Sequence, residues 1–350
     1  MSARMSLADA LARMPRVALV DAPTPIQPLK RIEEVMSPAL NGVKLYVKRD
    51  DLMGLGGGGN KLRKLEYLMG DAAAKGCDTI IATGGIQSNF TRVVAAACAR
   101  QKVACELVLA PLVPDTDDDY QRNGNTLLND LFGATMHILG RGEAAADFAR
   151  RRAEELTAQG RRPYLTPPGG SNSISALGYV RCATELDTQL NAYGLDEASI
   201  VTANGSNGTH AGLLAGFRLL GRSSHQIRAF TVLASAESSR SSTLAMANGT
   251  LELLGASDRL GLEDVGIAED QRGQGYGIVT DAMIEAVRLM ASCEGLLLDP
   301  VYSGKAFAGV IGDVRAGRYP AGSTVVFLMT GGAPALFAYR SAFARKTAKS

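Results

Sequence analysis

The chain has 350 residues, of which 46% are hydrophobic and 21% are charged, and its formal net charge is +2 at pH 7. This composition is typical of a globular protein that folds unaided, and the length favours two domains or one large α/β unit with an insertion. So small a net charge, with no basic block interleaved with aromatic residues, argues against nucleic acid as a partner.

Short β-rich runs alternate with alanine-rich helical runs along the chain. The predicted strands cover residues 44–48, 79–83, 106–110, 134–139, 199–203, 228–233 and 324–329. The predicted helices cover residues 63–75, 91–101, 124–132, 143–159, 175–193, 210–220, 239–248 and 281–292. This alternation predicts parallel sheets with helices on both faces, and in such sheets ligands bind beyond the carboxyl ends of the strands.

Residues 54–69 place one lysine, Lys61, directly after a glycine run and at the start of an amphipathic helix. Asn60 is a suitable N-cap, and a lysine in the first turn meets the positive end of the helix dipole, which lowers its pKa. Such an amine is suited to forming a Schiff base with a carbonyl. The alternative is a surface hairpin followed by a basic helix, in which Lys61 is as ordinary as Lys64. A phosphate-loop NTPase is less expected, because Leu62 stands where that motif requires Ser or Thr.

Three small polar loops follow predicted strands and precede predicted helices, at residues 84–89, 204–209 and 330–332. The second loop suits a phosphate best, because the backbone N–H groups from Gly205 to Thr209, two hydroxyls and a helix N-terminus converge there. Each loop alone is a weak signal, since glycine turns between a strand and a helix are common. Their combination with the glycine–lysine segment is much less common.

Other residue types argue against several classes of protein. The three histidines lack metal-ligand spacing, and the acidic run 115–119 is interpreted as a solvated loop rather than a calcium site, so no metal is expected. The Gly-x-Ser-x-Gly elbow of serine hydrolases is absent. The five cysteines are scattered without Cys-x-x-Cys spacing, which favours core packing in a reducing cytoplasm.

The N-terminal segment, residues 1–20, mixes charged residues into its apolar ones and lacks a continuous signal-peptide core. No run of the sequence approaches the length of a membrane span. We therefore expect a cytoplasmic protein without a membrane partner.

Eight segments carry a pattern that runs in order between residues 24 and 332: Thr24-Pro25, 48–51, 58–66, 87–89, 205–212, 275–277, 299–305 and 330–332. Together they resemble the family of D-cysteine desulfhydrase and 1-aminocyclopropane-1-carboxylate (ACC) deaminase. These are pyridoxal-phosphate enzymes of the tryptophan-synthase-β fold type. The resemblance implies an α/β protein of pyridoxal-phosphate fold type II, with two open twisted sheets flanked by helices.

The resemblance also implies an organisation in two domains, with pyridoxal 5'-phosphate in the cleft between them. Residues 1–53 and 165–350 are expected to form the large cofactor-binding domain. Residues 54–164 are expected to form a small inserted α/β domain that carries the Schiff-base lysine. Members of the family are usually homodimers, so a homodimer is expected here.

Roles for individual residues follow from the same resemblance. Lys61 is implied to be the Schiff-base lysine and later the base that handles the Cα proton, and Asn89 to bind the phenolic oxygen of the cofactor. Ser88 is implied to hold the substrate carboxylate, while Tyr276 and Tyr302 face the substrate and polarise a leaving group or move a proton. The other implied cofactor contacts are Asn60, Asn204, Gly205, Ser206, Asn207, Gly208, Thr209, Ser303 and Thr330, and the other implied substrate contacts are Gln87 and Phe90.

Two departures from the family pattern bear on the reaction. Ser303 stands where ACC deaminases carry a glutamate, and a hydroxyl from Ser303 or Thr330 leaves the pyridine ring a weaker electron sink than a carboxylate would. That suffices for β-elimination and disfavours opening of a cyclopropane. Phe90 stands where desulfhydrases usually carry histidine and ACC deaminases glutamine. It either makes the substrate pocket more apolar or faces the domain core.

The predicted activity is therefore β-elimination from a small amino acid resembling D-cysteine, giving pyruvate, ammonia and hydrogen sulfide. L-Cysteate sulfo-lyase, ACC deaminase and amino-acid racemase are alternatives on the same fold. A protein that binds the cofactor without catalysis is disfavoured, because storage needs only the lysine and the phosphate loop, whereas this chain also carries Ser88, Asn89, Tyr276 and Tyr302.

Overall fold

Two β-sheets organise the molecule in the computed structural model, which describes residues 6–20, 23–114 and 116–344. The strands in chain order are β1 Ile26–Pro28, β2 Lys44–Arg49, β3 Thr79–Gly85, β4 Ala104–Ala110, β5 Thr135–Ile138, β6 Pro163–Leu165, β7 Ser199–Asn204, β8 Ile227–Thr231, β9 Gly266–Ala268 and β10 Thr324–Met329. The larger sheet has the order β1-β2-β10-β7-β8-β9, and the smaller has the order β5-β4-β3-β6. All strand pairs are parallel except β1 with β2.

Helices cover the sheets and alternate with the strands along the chain. They are α1 Leu7–Ala12, α2 Lys30–Leu40, α3 Lys61–Ala74, α4 Asn89–Gln101, α5 Asp118–Arg122, α6 Gly124–Leu131, α7 Ala145–Ala158, α8 Ser173–Tyr193, α9 Gly208–Leu219, α10 Ala236–Leu253, α11 Asp281–Glu294, α12 Ser303–Arg315, α13 Ala335–Ala338 and α14 Arg340–Phe343. Among the described residues, no helix is both long and apolar enough to cross a bilayer. Residues 1–5 of the N-terminal segment and Asp115 of the acidic run lie outside the described part of the chain.

The central strands are buried on both faces because their sequences are continuous apolar runs rather than alternating ones. β10 reads Thr-Val-Val-Phe-Leu-Met, and its residues from Val325 to Met329 are all buried. Parallel strands covered by helices on both sides show this pattern. The sequence pattern therefore predicts these strands well, and the predicted α/β fold class with two flanked sheets is confirmed.

Three short strands and two longer helices were not predicted. Strands β1, β6 and β9 have three residues each, which is too short to show a period. Helix α2 contains Pro38, and helix α12 opens on Ser303-Gly304, so neither begins like a strong helix former. β6 ends at Leu165, one residue beyond the predicted boundary of the inserted unit, and the division into two domains stays a prediction.

Helix α3 packs against α8 at very close range. A Cβ on Gly178 of α8 would lie 2.0 Å from the carbonyl oxygen of Arg63 in α3, so this contact requires glycine. α8 itself is held at both ends, by a capping box between Asn172 and Ser175 and by Gly194 in the left-handed conformation. The first turn of α3 is thereby placed against a long, well-terminated helix.

A buried ionic network reinforces this contact. Arg63 is 4% exposed and donates through two nitrogens to both carboxylate oxygens of Asp50, at 2.9 and 2.8 Å, and through a third to Glu185 at 2.9 Å. Asp50 also accepts hydrogen bonds from the hydroxyls of Thr24 and Tyr179, at 2.8 and 2.6 Å. Burial alone would raise the pKa of Asp50, but the charge and hydrogen bonds of Arg63 outweigh it and the pKa is lowered.

We expect Arg63→Met to destabilise the fold by about 3–5 kcal/mol, because it leaves the carboxylate of Asp50 buried without its partner. Urea unfolding followed by circular dichroism measures the loss. Arg315→Met is the matched control, since Arg315 pairs with Glu285 on the surface with side chains 51% and 48% exposed, and it should cost no more than about 1 kcal/mol. Equal losses in the two variants would contradict the role given to the buried pair.

Candidate active site

One cleft collects most of the predicted site residues. It lies where the carboxyl ends of β7 and β10 meet the N-termini of α3, α4, α9 and α12. Its lining residues, called the cleft below, are Asn60, Lys61, Asn89, Ala203, Asn204, Gly205, Ser206, Asn207, Thr209, Tyr302 and Thr330. The three polar loops of the sequence and the glycine–lysine segment are thus brought together, as the strand–loop–helix pattern predicts.

Lys61 is half-buried at the first position of α3, with its Nζ 3.3 Å from Asn60 Oδ1 and 5.5 Å from the centre of the Tyr302 ring. Burial lowers the pKa of Lys61 to about 8; the nearby carboxylate of Asp299 opposes this shift and the charge of Arg92 adds to it. The lowered pKa agrees with the prediction from sequence. The principal cause is burial of the ammonium group rather than the helix dipole.

Asn60 does not cap helix α3 with its side chain, contrary to the prediction. Its Nδ2 instead donates to Thr209 Oγ1 at 2.9 Å, and its backbone N–H donates to the carbonyl of Thr330 at 2.9 Å. Asn60 therefore ties the start of α3 to the loops after β7 and β10. The backbone of Asn60 is already helical, with φ −52° and ψ −23°, whereas a capping residue is extended. Its side chain therefore does not cap α3 and is free to bond across the cleft.

The loop between β7 and α9 is a ready site for an anion. Among the described residues, the backbone N–H groups of Gly205, Ser206 and Asn207 have no acceptor, and the N-terminus of α9 adds its own unpaired N–H groups. Asn207 adopts the left-handed conformation with φ 67°, which turns successive N–H groups toward one point. A Cβ on Gly205 would lie 2.8 Å from the ring of Tyr302, so only glycine fits there.

Lys64 is a functional candidate that was not predicted from the sequence. Its side chain is fully buried behind the β7–α9 loop, and its Nζ donates to the carbonyl of Gly169 at 3.1 Å, to Ser206 Oγ at 3.4 Å and to Ser171 Oγ. Burial, and then the charge of Lys61, lower the pKa of Lys64 well below its usual value. In the sequence, the one sign of a role for Lys64 was its position three residues after Lys61. Its partners Gly169 and Ser171 lie more than 100 residues away along the chain, so the sequence does not show these contacts.

Two tyrosines form a hydrogen-bonded pair at the edge of the cleft. The hydroxyls of Tyr276 and Tyr302 are 2.8 Å apart, and their rings meet edge to face with centres 5.9 Å apart. Burial raises the pKa of both side chains. Both therefore stay protonated near neutral pH, and one hydroxyl of the pair keeps a proton that it does not donate to the other.

Ser88 and Asn89 begin helix α4 and face different ways. Asn89 is half-buried and lines the cleft, with its Oδ1 accepting from Asn125 Nδ2 at 2.9 Å. Ser88 is the N-cap of α4, where its Oγ accepts the N–H of Thr91 at 3.3 Å. Among the described residues the hydroxyl proton of Ser88 has no acceptor, so it remains available next to the unpaired N–H groups of the helix.

Three predicted contacts are corrected by the structure. Gln87 does not line the cleft, because its amide nitrogen donates to the carbonyls of Tyr120 and Asn123 and its oxygen accepts the N–H of Asn125. Phe90 faces the core of the molecule. It is 1% exposed, and a Cβ on Gly170 would come within 2.2 Å of its ring, so its departure from the family pattern does not alter the cleft.

Ser303 is the third correction. It is fully buried, accepts the backbone N–H of Asp299 at 2.8 Å and donates its hydroxyl to Asp299 Oδ1 at 2.7 Å. Its single proton is thus used inside the protein and not offered to the cleft. Thr330 does line the cleft, and its hydroxyl has no hydrogen-bond partner among the described residues. Of the two hydroxyls considered from the sequence, Thr330 is the one placed to meet a ligand.

Comparison with known proteins decides the family. The family described as pyridoxal-phosphate dependent enzyme matches residues 17–331. The chain belongs to this family. D-cysteine desulfhydrases of Salmonella newport (strain SL254) and Salmonella schwarzengrund (strain CVM19633) are 40% and 39% identical to it, each over 94% of this chain and 97% of the relative. The resemblance seen in the sequence is confirmed.

Solved structures agree with this assignment. The crystal structure of an ACC deaminase homologue matches with a TM-score of 0.83 and 35% identity, over 95% of this chain and 97% of that chain. A hydrogen sulfide-producing enzyme from Fusobacterium nucleatum matches with a TM-score of 0.61 at 17% identity, over 90% of this chain and 97% of that chain, and shares the fold. The chain is thus a pyridoxal-phosphate-dependent enzyme.

The residues of the cleft fit this cofactor. An amine with a lowered pKa is suited to an aldehyde. Unpaired N–H groups backed by the buried amine of Lys64, which the charge of a bound phosphate would keep protonated, are suited to a phosphate. A Cβ on Gly208 would lie 3.1 Å from Lys64 Nζ and 2.9 Å from Ser171 Oγ, so the absence of a side chain there keeps the loop next to Lys64. The donors in the cleft thus match the charges of the cofactor.

The lowered pKa of Lys61 predicts how the protein without cofactor reacts with aldehydes. The rate of attachment of pyridoxal phosphate to Lys61 should rise with pH and level off above about pH 9, because the amine loses its proton near pH 8. Borohydride trapping followed by peptide mapping measures the rate, with free Nα-acetyl-lysine as the control. A rate at Lys61 that keeps rising to pH 10, as for the free amino acid, would contradict the lowered pKa.

Removal of the Lys64 amino group should weaken cofactor binding. We expect Lys64→Met to raise the dissociation constant of pyridoxal phosphate by roughly ten- to a hundredfold, since hydrogen bonds to charged groups contribute about 1.5–3 kcal/mol. Titration of the cofactor-free protein measures this constant. Lys75→Met is the control, because Lys75 lies at the opposite end of α3 with its side chain 59% exposed. Equal affinity in both variants would refute the role of Lys64.

Proposed function

We propose that this enzyme catalyses β-elimination from a small β-substituted amino acid resembling D-cysteine. The products are pyruvate, ammonia and the leaving group, hydrogen sulfide when the substrate is cysteine. The observation that carries the proposal is the placement of the Thr330 hydroxyl in a cleft that, among the described residues, has no carboxylate in its lining. The 40% identity to D-cysteine desulfhydrases along nearly the full length of both chains supports the same activity.

The residues that hold the cofactor follow from their donors. Lys61 would hold its aldehyde carbon, and the N–H groups of the β7–α9 loop with Lys64 would hold its phosphate. Asn89 would meet the phenolic oxygen, and Thr330 the ring nitrogen. When bound, pyridoxal phosphate supplies an electron-withdrawing ring that stabilises negative charge at the substrate Cα.

Protein groups around the substrate divide the remaining tasks. Ser88, together with the unpaired N–H groups at the start of α4, holds the substrate carboxylate. Lys61, whose pKa is lowered to about 8 by burial, takes the Cα proton near neutral pH. The Tyr276–Tyr302 pair stays protonated because burial raises both pKa values, and it provides the proton that the leaving thiolate requires.

The ring nitrogen partner separates this activity from that of ACC deaminase, the second candidate. A neutral hydroxyl does not keep the nitrogen protonated as a carboxylate does, so the ring withdraws electrons less strongly. β-Elimination tolerates this because the leaving group carries the electron pair away. ACC deaminase is retained as a candidate because the homologue of that name matches the fold at a TM-score of 0.83, but Thr330 and the internal bonding of Ser303 disfavour it.

Elimination from L-cysteate and racemisation are less well supported, because each requires a further group in the cleft. A sulfonate requires an additional cation, and racemisation requires a second acid or base opposite Lys61, a role that Tyr302 or Ser88 would have to take.

We further propose a cytoplasmic homodimer. The five cysteines, all within the described residues, are unpaired, which supports a reducing compartment.

The activity is tested with purified holoenzyme and D-cysteine, L-cysteine, β-chloro-D-alanine, L-cysteate and ACC in parallel. We expect pyruvate from the D-β-substituted substrates, accompanied by hydrogen sulfide from D-cysteine. Lys61→Ala is the control and should reduce the rate to background. Formation of 2-oxobutyrate from ACC would contradict the assignment of Thr330, and sulfite from L-cysteate would move the proposal to that substrate.

A further inference from the structure

Three residues with amide side chains, Gln87, Asn125 and Asn89, are connected by hydrogen bonds between the α5–α6 region and the cleft. Gln87 is its first member: its Nε2 lies 2.6 Å from the carbonyl of Tyr120 and 2.9 Å from that of Asn123. Backbone carbonyls only accept hydrogen bonds, so the end of the Gln87 amide that faces them is its NH₂ group. The opposite end, Oε1, accepts the backbone N–H of Asn125 at 2.9 Å.

Asn125 is the second member, and its orientation is fixed in the same way. Its Nδ2 lies 3.0 Å from the carbonyl of Gln87, which again only accepts. The same NH₂ group lies 2.9 Å from Asn89, which must therefore present its oxygen, Oδ1, to Asn125. This leaves Asn89 Nδ2 at the opposite end of the amide group, beside Gly332, where an added Cβ would lie 2.6 Å from it. Gly332 follows the cleft residue Thr330.

We propose that Asn125 is a positioning residue that locks the amide of Asn89 with its NH₂ group toward the cleft. The cleft then offers a hydrogen-bond donor, rather than an acceptor, to the phenolic oxygen of the cofactor. If Asn89 turned over, its carbonyl oxygen would face that electron-rich oxygen and repel it. The inference rests on the role proposed above for Asn89, and it adds a residue that does not itself line the cleft.

The burial of Asn125 supports a role beyond packing. Asn125 is fully buried, and its Oδ1 has no hydrogen-bond partner among the described residues. An apolar side chain of similar size would avoid the cost of burying that oxygen. The amide is therefore best explained by its NH₂ group, which makes both of the contacts that set the orientation of Asn89.

The test measures the dissociation constant of pyridoxal phosphate and the absorption spectrum of the bound cofactor as a function of pH. Asn125→Leu should weaken binding by about tenfold and shift the spectrum, because Asn89 loses its fixed orientation. Asn125→Ser removes the same NH₂ group and introduces a smaller, polar side chain. It replaces the leucine variant in the test if that variant does not fold. Asn129→Leu is the matched control: Asn129 lies one turn further along α6, is fully buried, and makes no side-chain hydrogen bond within the described residues.

A double-mutant comparison separates positioning from general damage. In an Asn89→Ala background, the Asn125 variants should change the affinity less than twofold, since the group they orient is gone. Equal effects of the Asn125 and Asn129 variants, or full additivity with Asn89→Ala, would overturn the inference. Unchanged affinity for pyridoxal phosphate in Asn89→Ala alone would also overturn the inference, because it would show that Asn89 does not contribute to cofactor binding. The proposed activity is tested independently, by the product assay.

Discussion

The ion pair between Arg63 and Asp50 is the interaction on which the position of the reactive lysine depends. It fixes the first turn of α3 against the end of β2 and, through Glu185, against α8. Three cations occupy four successive positions in this turn, and they point to different surroundings. Within the described part of the chain, Arg63 receives the carboxylates, whereas Lys64 contacts only neutral oxygens and Lys61 hydrogen-bonds only to the amide of Asn60.

This division of partners explains why two lysines are held with lowered pKa values in so small a volume. A carboxylate in contact with Lys61 would hold its proton and remove its value as a base and as an amine for an aldehyde. The carboxylate that raises the pKa of Lys61 belongs to Asp299, and it already accepts the N–H groups of Val301, Tyr302 and Ser303. The anions of the region are thus committed to structure, and the cleft is left to neutral donors and lysines.

Sequence patterns were sufficient for the parts of the site that are continuous in the chain. Lys61 after its glycine run, and the loop from Gly205 to Thr209 after a strand, were recognised because chemistry and local structure coincide there. Gln87, Phe90 and Ser303 were misplaced, although they adjoin correctly placed residues, because successive residues at a helix start point in different directions. Lys64 was not found because its contacts, Gly169 and Ser206, come from distant parts of the chain.

The misplaced glutamine shows how a residue outside the cleft determines the chemistry inside it. The carbonyls of Tyr120 and Asn123 accept from Gln87, the carbonyl of Gln87 accepts from Asn125, and the amide of Asn89 is the last in the series. The main-chain carbonyl of Gln87 requires Asn125 to present its nitrogen, and that nitrogen requires Asn89 to present its oxygen to Asn125. Because a main-chain carbonyl has no donor to offer, the choice between oxygen and nitrogen is made by the backbone carbonyl of Gln87 and not by the ligand. The donor pattern of the cleft is therefore present before any cofactor binds, and binding does not have to reorganise it.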